Sequence, residues 1–476
     1  MRIGLIAMSG VRACDPELLR LGLTLPGVLE RSRVVARLPS LGLLTLAGCT
    51  PPGHDLVYRE VDDVGTLASA DLERFDLVAI SSFTAQIHEA YHLADRYRAL
   101  GVPVAMGGLH VTALPEEALA HADAVCVGEG EVCWPEMVRA AERNALHGIY
   151  SSRSGRLARE FDLRSAPMPA FELLDPARYS RFTVQTTRGC PWRCEFCASS
   201  ILLTGKYKQK PAAKVLAEID RLIELCARAG RPHPFIEFAD DNSLVNVPWW
   251  KDFLPQLAQR DVRWFTETDV SVAEDDELLE LMYRSGCVEV LIGLESPVEA
   301  GLHRLELRSD WKLKKFPGYR AAVGNIQQHG IRVNGCFILG LDGQDAGVFE
   351  RVFDAARDME LFDVQVTLQT AFPGTPLYSR LRDEGRLIED RPWERCTLFD
   401  VTFAPRGMTR DELQQGFRNL VVRLYSEEFT RFRHDTFSAK FLRPPQRNTP
   451  LVRESPHHES EEHNAHPGPV RARRAV

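Results

Sequence analysis

Three cysteines are the residues most ready for chemistry in this 476-residue chain. Cys190, Cys194 and Cys197 are spaced C-x3-C-x2-C inside Thr186–Cys197, directly after the β-prone run Phe182–Thr187. Thiolates suit soft metals and iron–sulfur clusters, and such short spacing lets one loop wrap a single cluster. A four-iron cubane held by three cysteines keeps one iron open to a substrate, whereas structural zinc sites are closed by four ligands. Zinc would need that fourth ligand, and no other Cys or His lies within twenty residues on either side. The other eight cysteines are scattered singly, which speaks against chance clustering of core thiols.

Two further sets of residues sit where strand-like runs end. In the first 150 residues these are Ser81-Ser82-Phe83-Thr84, Gly107-Gly108-Leu109-His110 and Gly128-Glu129-Gly130-Glu131. Glycine there lets a large ligand approach the backbone closely. Beyond the cysteines they are Ala239-Asp240-Asp241-Asn242, Thr266-Glu267-Thr268-Asp269, Gly293-Leu294-Glu295-Ser296, Phe337–Gly340 and Thr367–Thr370. An acid after a strand is commonly a helix N-cap, so Asp241 or Asp269 alone would mean little. Their coincidence along one rim is what points to a site.

The elements that must position these residues are β-prone runs alternating with helical stretches. Runs at Ile3–Met8, Asp55–Val61, Leu77–Ser82, Val102–Met106 and Ala124–Val127 predict a parallel, Rossmann-like sheet over 1–150, with ligands beyond the strand C-termini. Residues 151–181, rich in Ser, Arg and Pro, read as a linker. From 182 to 371 six strand–helix units (182–187, 234–239, 263–268, 288–293, 332–339 and 363–371) predict a partial TIM-like barrel with its site at the strand C-termini. A closing segment spans 372–440, and 441–476, poor in apolar residues, should be a disordered tail.

Composition narrows the class. Hydrophobic residues at 44% and charged ones at 26% are ordinary for a globular protein, and the length exceeds one core. A net charge of −8 offers no electrostatic reason for a nucleic-acid partner. The 11 cysteines form no disulfide-like framework, no apolar run is long enough for an integral membrane segment, and the start does not read as a signal peptide. A cytoplasmic location is expected.

The cysteine loop, with Phe196 before its last cysteine, resembles the radical S-adenosylmethionine (SAM) enzymes. The stretches Asp76–Thr84, Val104–Glu117 and Ala122–Glu131 ahead of it resemble the cobalamin-binding domain that precedes many such barrels. The resemblance covers about residues 1–435 and implies three cofactors: a [4Fe-4S] cluster on Cys190, Cys194 and Cys197, SAM on its open iron, and cobalamin. It implies that Ser81, Ser82, Thr84, Gly107, Gly108, His110, Gly128 and Gly130 line the cobalamin site and that Phe196 belongs to the cofactor-binding set. Asp240 and Asp241 would then lie near the SAM ammonium, Glu295 at the ribose and Phe337–Gly340 along the adenine, with Glu267 and Gln369 facing SAM or substrate. The Asp-x-His-x-x-Gly motif of cobalt-ligating histidines is absent, so His110 should bond or pack rather than bind cobalt.

Side-chain bases have pKa values of roughly 4–14, too low to deprotonate an unactivated carbon, so a radical is required. The resemblance implies an enzyme, a cobalamin-dependent methyltransferase that acts on carbon or phosphorus of a small-molecule or lipid substrate. An external electron donor of flavodoxin or ferredoxin type would feed it. A radical cyclase or rearrangement enzyme, or a cobalamin sensor with an inactive barrel, are the alternatives.

Overall fold

The computed structural model describes residues 1–8, 13–18, 38–68, 72–203 and 206–443. The tail assigned to 441–476 falls almost wholly outside them. Met1–Leu442 form one compact unit.

The first sheet has six parallel strands: β1 (Arg2–Met8), β2 (Asp55–Val61), β3 (Leu77–Ser81), β4 (Val104–Gly107), β5 (Ala124–Val127) and β6 (Gly148–Ser151), in the order β2-β1-β3-β4-β5-β6. Its inner strands read as nearly unbroken apolar runs because helices cover both faces. On one side lie Leu41–Cys49 and Gly130–Glu142; on the other lies Ile87–Ala99, burying Ile87, Ala90, Leu93, Ala94 and Tyr97. The strand order reverses between β1 and β3, so the ligand crevice of such a sheet opens at their C-terminal ends. This is the Rossmann-like domain expected, with one strand more than the sequence suggested.

Residues 151–181 are not a loose linker. Their 3-10 turns bury Leu163 and set Phe171, Leu174 and Tyr179 in the same apolar cluster as strands of both sheets. The Ser, Arg and Pro residues that suggested a connector shape these turns, and apolar side chains between them supply the packing.

The second sheet is the partial barrel, six strands all parallel and paired side by side in chain order. Its strands are β7 (Phe182–Val184), β10 (Phe235–Phe238), β11 (Arg263–Thr268), β12 (Cys287–Glu295), β13 (Arg332–Leu339) and β14 (Asp363–Leu368). A small antiparallel pair, β8 (Thr187–Arg188) with β9 (Lys208–Gln209), pinches the base of the cysteine loop. Alternation sends Phe238 and Trp264 outward against Trp250 of helix Val247–Leu257, the three rings lying 5.3–6.0 Å apart. Phe265 and Glu267 then face the barrel's hollow. Helices Pro376–Asp383, Arg410–Leu424 and Glu427–Lys440 complete the chain, the second opened by a Thr409–Glu412 capping box. Among the described residues no helix is long and apolar enough to cross a membrane.

Candidate cofactor sites

The cysteine loop is held from every side. Asp240, at the end of β10, is buried and accepts hydrogen bonds from the backbone N–H groups of Thr186 (2.8 Å) and Thr187 (2.9 Å) and from the hydroxyls of Thr186 and Ser243. Both its oxygens are thereby occupied, so its geometry suits bracing the loop rather than meeting a SAM ammonium. Asp241 accepts from Gly189 N (2.7 Å) and from Ser199 Oγ, one residue before Cys190 and two after Cys197. Across the loop, Cys194 pairs with Glu306 as an isolated bridge, Glu195 N donates to Leu305 O (2.9 Å) and Leu307 N to Arg193 O (2.9 Å). Trp192 stacks on Trp311 at 4.4 Å and donates to Asp269 (2.9 Å). From the closing segment Arg380 grips Glu195 through both oxygens (2.6 and 3.0 Å), and Phe196 packs against the cluster of Leu377 and Phe403.

These residues fit a cluster. Two of the three sulfurs already receive N–H donors, Cys190 from Asn242 Nδ2 (3.8 Å) and Cys197 from Ser200 N (3.4 Å). Hydrogen bonds to cysteine sulfur are how proteins tune iron–sulfur centres. Burial pushes the Cys190 thiol up to about 11 and raises Cys194 and Cys197 also, so metal binding rather than the protein must ionise them. Among the described residues no three Cys, His, Asp or Glu groups close round a single ion. Cubane cysteines, each on its own iron, stand farther apart than such a group.

The hollow beside this loop is acidic. Glu267 on β11 is open to it, yet walled by protein; burial, with Glu237, Asp241 and Glu295 near it, raises its carboxyl to about 7. Glu295 sits at a β-bulge of β12 in a left-handed conformation (φ 63°), rare for a residue with a side chain. Lys312, which no motif marks, reaches back to it (2.6 Å) and to Gly293 O (3.0 Å). Burial opposes the charge on Lys312, but the Glu295 carboxylate beside it holds it protonated. A Cβ at Gly293 would stand 2.5 Å from the Glu295 oxygen, so only glycine leaves room for this pair. Along Phe337–Gly340, all buried, Gln344 takes the N–H of Gly340 (2.9 Å) and donates to the carbonyl of Ile338 (3.0 Å), which occupies polar groups of that backbone. Gln369 Oε1 is buried with no partner among the described residues.

On the first sheet the loops after β3 and β4 face each other. A Cβ at Gly108 (φ 113°) would lie 3.6 Å from both Ser81 Oγ and Ser82 O. Ser82 Oγ is buried and unpartnered among the described residues, Thr84 is buried, and Phe83 beside them is 75% exposed. An orphaned hydroxyl and a bare aromatic ring at the crevice of a parallel sheet fit a large, partly apolar cofactor. His110 is turned elsewhere. Its Nε2 meets Glu117 (3.2 Å), Trp393 lies across its ring at 5.3 Å, and Glu117 also accepts from Trp393, Tyr91 and Arg391. Burial lowers the imidazole's pKa against the pull of Glu117.

The third loop departs from the expectation. A Cβ at Gly128 would meet Ser152 Oγ at 2.3 Å and one at Gly130 would meet Leu46 at 2.9 Å, so these glycines admit protein rather than ligand. Glu129 and Glu131 bind Arg188 (3.1 and 2.6 Å), two residues before Cys190, and Lys208 adds a bond to Glu129 (2.8 Å). Four buried charges thus join the first domain to the root of the cysteine loop.

Residues 31–138 match the B12 binding domain model, 184–356 the radical SAM superfamily model, and 375–459 a domain of unknown function. Residues 184–356 form a radical SAM domain, with a B12-binding domain ahead of it. An uncharacterised methyltransferase of Synechocystis is 32% identical over 365 residues; the match covers 74% of this chain but 64% of that protein. The bacteriochlorophyllide d C-12(1)-methyltransferase of Chlorobaculum tepidum is 27% identical, covering 81% of this chain and 82% of that one. The structure of the radical SAM methyltransferase TsrM from Kitasatospora setae, solved with cobalamin and a [4Fe-4S] cluster, superposes with a TM-score of 0.61. It covers 82% of this chain and 80% of that one, and at 14% identity it shows the shared fold. As a radical SAM protein with a B12-binding domain, the chain uses SAM, a [4Fe-4S] cluster and cobalamin as cofactors.

Proposed function

We propose that this radical SAM protein transfers a methyl group from SAM to an unactivated carbon, or phosphorus, of a small-molecule or lipid intermediate. When bound, the reduced cluster supplies the electron that cleaves SAM to a 5′-deoxyadenosyl radical, and cobalamin supplies the methyl group. Cys190, Cys194 and Cys197 would hold the cluster, and Glu295, aimed by Lys312, would meet the SAM ribose. Ser82 and the Gly107-Gly108 turn would receive cobalamin. The protein's share is to orient these groups and keep water from a reactive centre. An external one-electron donor of flavodoxin or ferredoxin type feeds it in a reducing, cytoplasmic setting.

The observation that supports this reading most is the four-charge junction of Arg188, Lys208, Glu129 and Glu131. It holds the two cofactor-bearing sheets as one body, as a reaction drawing on both requires. The test is turnover with methyl-labelled SAM and candidate substrates. Methyl transfer yields labelled product with S-adenosylhomocysteine and 5′-deoxyadenosine in near-equal amounts, once uncoupled cleavage is subtracted. A cyclase would form 5′-deoxyadenosine and product without label. Cys194→Ala should abolish 5′-deoxyadenosine and cluster absorption while cobalamin still binds.

A further inference from the structure

The loop that follows β12 lies on the cysteine loop like an added strand, through the Cys194–Glu306 bridge and the Leu307–Arg193 and Glu195–Leu305 hydrogen bonds. Glu306 is buried and turns its carboxylate inward, to the N–H groups of Arg193 (3.2 Å), Arg308 (3.1 Å) and Ser309 (2.7 Å). What remains outside is basic and apolar. Leu307 is 48% exposed, Arg304 and Arg308 flank it in the open, and Arg193 is half-buried beside it. None of these three arginines has an ion-pair partner among the described residues. Of the five Lys or Arg in residues 303–315, Lys312 and Lys315 pair with Glu295 and Glu274, which leaves Arg304, Arg308 and Lys314 on the surface of a chain whose net charge is −8. Arg304 takes a left-handed conformation (φ 59°), and its N–H donates to Asp310 (3.0 Å) across the loop.

An exposed apolar centre inside an unneutralised basic rim has the anatomy of a docking surface. Its backbone bonds directly to the residues on both sides of Cys194, so a partner seated on it would lie against the cysteine loop. We propose that Arg193, Arg304, Leu307 and Arg308 form the docking face for an acidic one-electron donor protein. The proposal rests on the reading of the cysteine loop as a cluster site. In the encounter the donor's reduced flavin or iron–sulfur centre loses one electron and the oxidised cluster gains it; no bond forms or breaks. Contacts between redox partners are small and short-lived, below roughly 1,200 Å², so charge complementarity governs their rate.

The test is anaerobic stopped-flow bleaching of the reconstituted cluster, without substrate, by reduced flavodoxin and separately by dithionite. The wild-type rate with flavodoxin should fall steeply as salt rises. Arg304→Glu with Arg308→Glu should slow that reduction by about tenfold or more at low salt and remove its salt dependence. Leu307→Ser should slow it without changing the salt dependence, and dithionite should reduce every variant as fast as wild type. Unchanged flavodoxin rates in the charge-reversed protein would overturn the proposal, as would a wild-type rate indifferent to salt. An equal slowing with dithionite would also overturn it, by showing that these residues hold the cluster rather than greet a partner. Bleaching is read before any methyl transfer, so a failure of the proposed reaction leaves this result standing.

Discussion

Replacing Arg188 by methionine should show how firmly the two cofactor domains are joined. The guanidinium makes two bonds to Glu131 (2.6 and 3.3 Å), one to Glu129 (3.1 Å) and one to Gln185 (3.1 Å). Without it Glu129 keeps Lys208 and the N–H of Phe161, whereas Glu131 loses the cation that balances its buried charge. Stranding one partner of a buried pair costs about 3–5 kcal/mol. Arg188→Met with Glu131→Leu should recover most of that loss, since an apolar pair of similar volume is often as stable as the ions. Acid should narrow the gap between Arg188→Met and wild type. Burial alone would raise the Glu131 carboxyl, but Arg188 outweighs it and holds the group below the usual range. Wild-type stability from this pair is therefore complete above the unfolded carboxylate value, and is lost only as pH falls through the depressed one. In the variant burial is opposed only by a backbone hydrogen bond and the more distant Lys208, so the folded protein should take up a proton the unfolded chain does not, and stability should rise from pH 7 to pH 5. The assay is urea unfolding of the cofactor-free protein at both pH values. A loss below about 1 kcal/mol, typical of an exposed pair, or a gap that does not close in acid, would refute the reasoning.

Gly108→Val should cut cobalamin affinity at least tenfold by titration, because a branched side chain is strained at φ 113° and would project toward Ser81 and Ser82. His110→Ala should loosen the closing segment, seen as faster hydrogen exchange over 391–396, while leaving the cob(II)alamin spectrum free of any change in nitrogen hyperfine coupling. Glu267→Gln should flatten the pH dependence of stability. The raised carboxyl binds a proton in the folded protein that the unfolded chain releases, so wild-type stability falls as pH climbs from the ordinary glutamate range through about 7, and the amide removes that slope.

Much of this was legible in sequence because local rules carry it. Five of the six strands of the first sheet and all six of the barrel follow from short β-prone runs, and the cysteine loop announces itself by spacing. The Gly128-Glu129-Gly130-Glu131 turn was legible only as a turn. Whether such a loop admits a ligand or another part of the chain depends on Arg188, 57–59 residues away, and on Ser152 and Leu46 filling the space over its glycines. Asp240 likewise looked available for a ligand, since the donors that occupy it are hydroxyls and backbone groups that no pattern marks. Lys312 carries no signal at all. Its role arises from a bulge on the strand that it follows and from the space that Gly293 leaves there, and neither can be read from a pattern. The stretch 151–181 misled by composition, because 3-10 turns hide their apolar residues among Ser and Pro.

The junction between Glu129, Glu131, Arg188 and Lys208 also bears on how such proteins can be recombined. A chimera cut in the segment after β6 would look modular, a whole first domain exchanged for another. It would carry two buried carboxylates onto a foreign loop with no matching cations, or leave two cations facing nothing. The exchangeable unit is therefore not a continuous stretch of chain. Grafting the first domain of a relative should succeed only when residues 186–210 travel with it, and libraries built on that discontinuous block should yield more soluble protein than libraries split in the segment after β6.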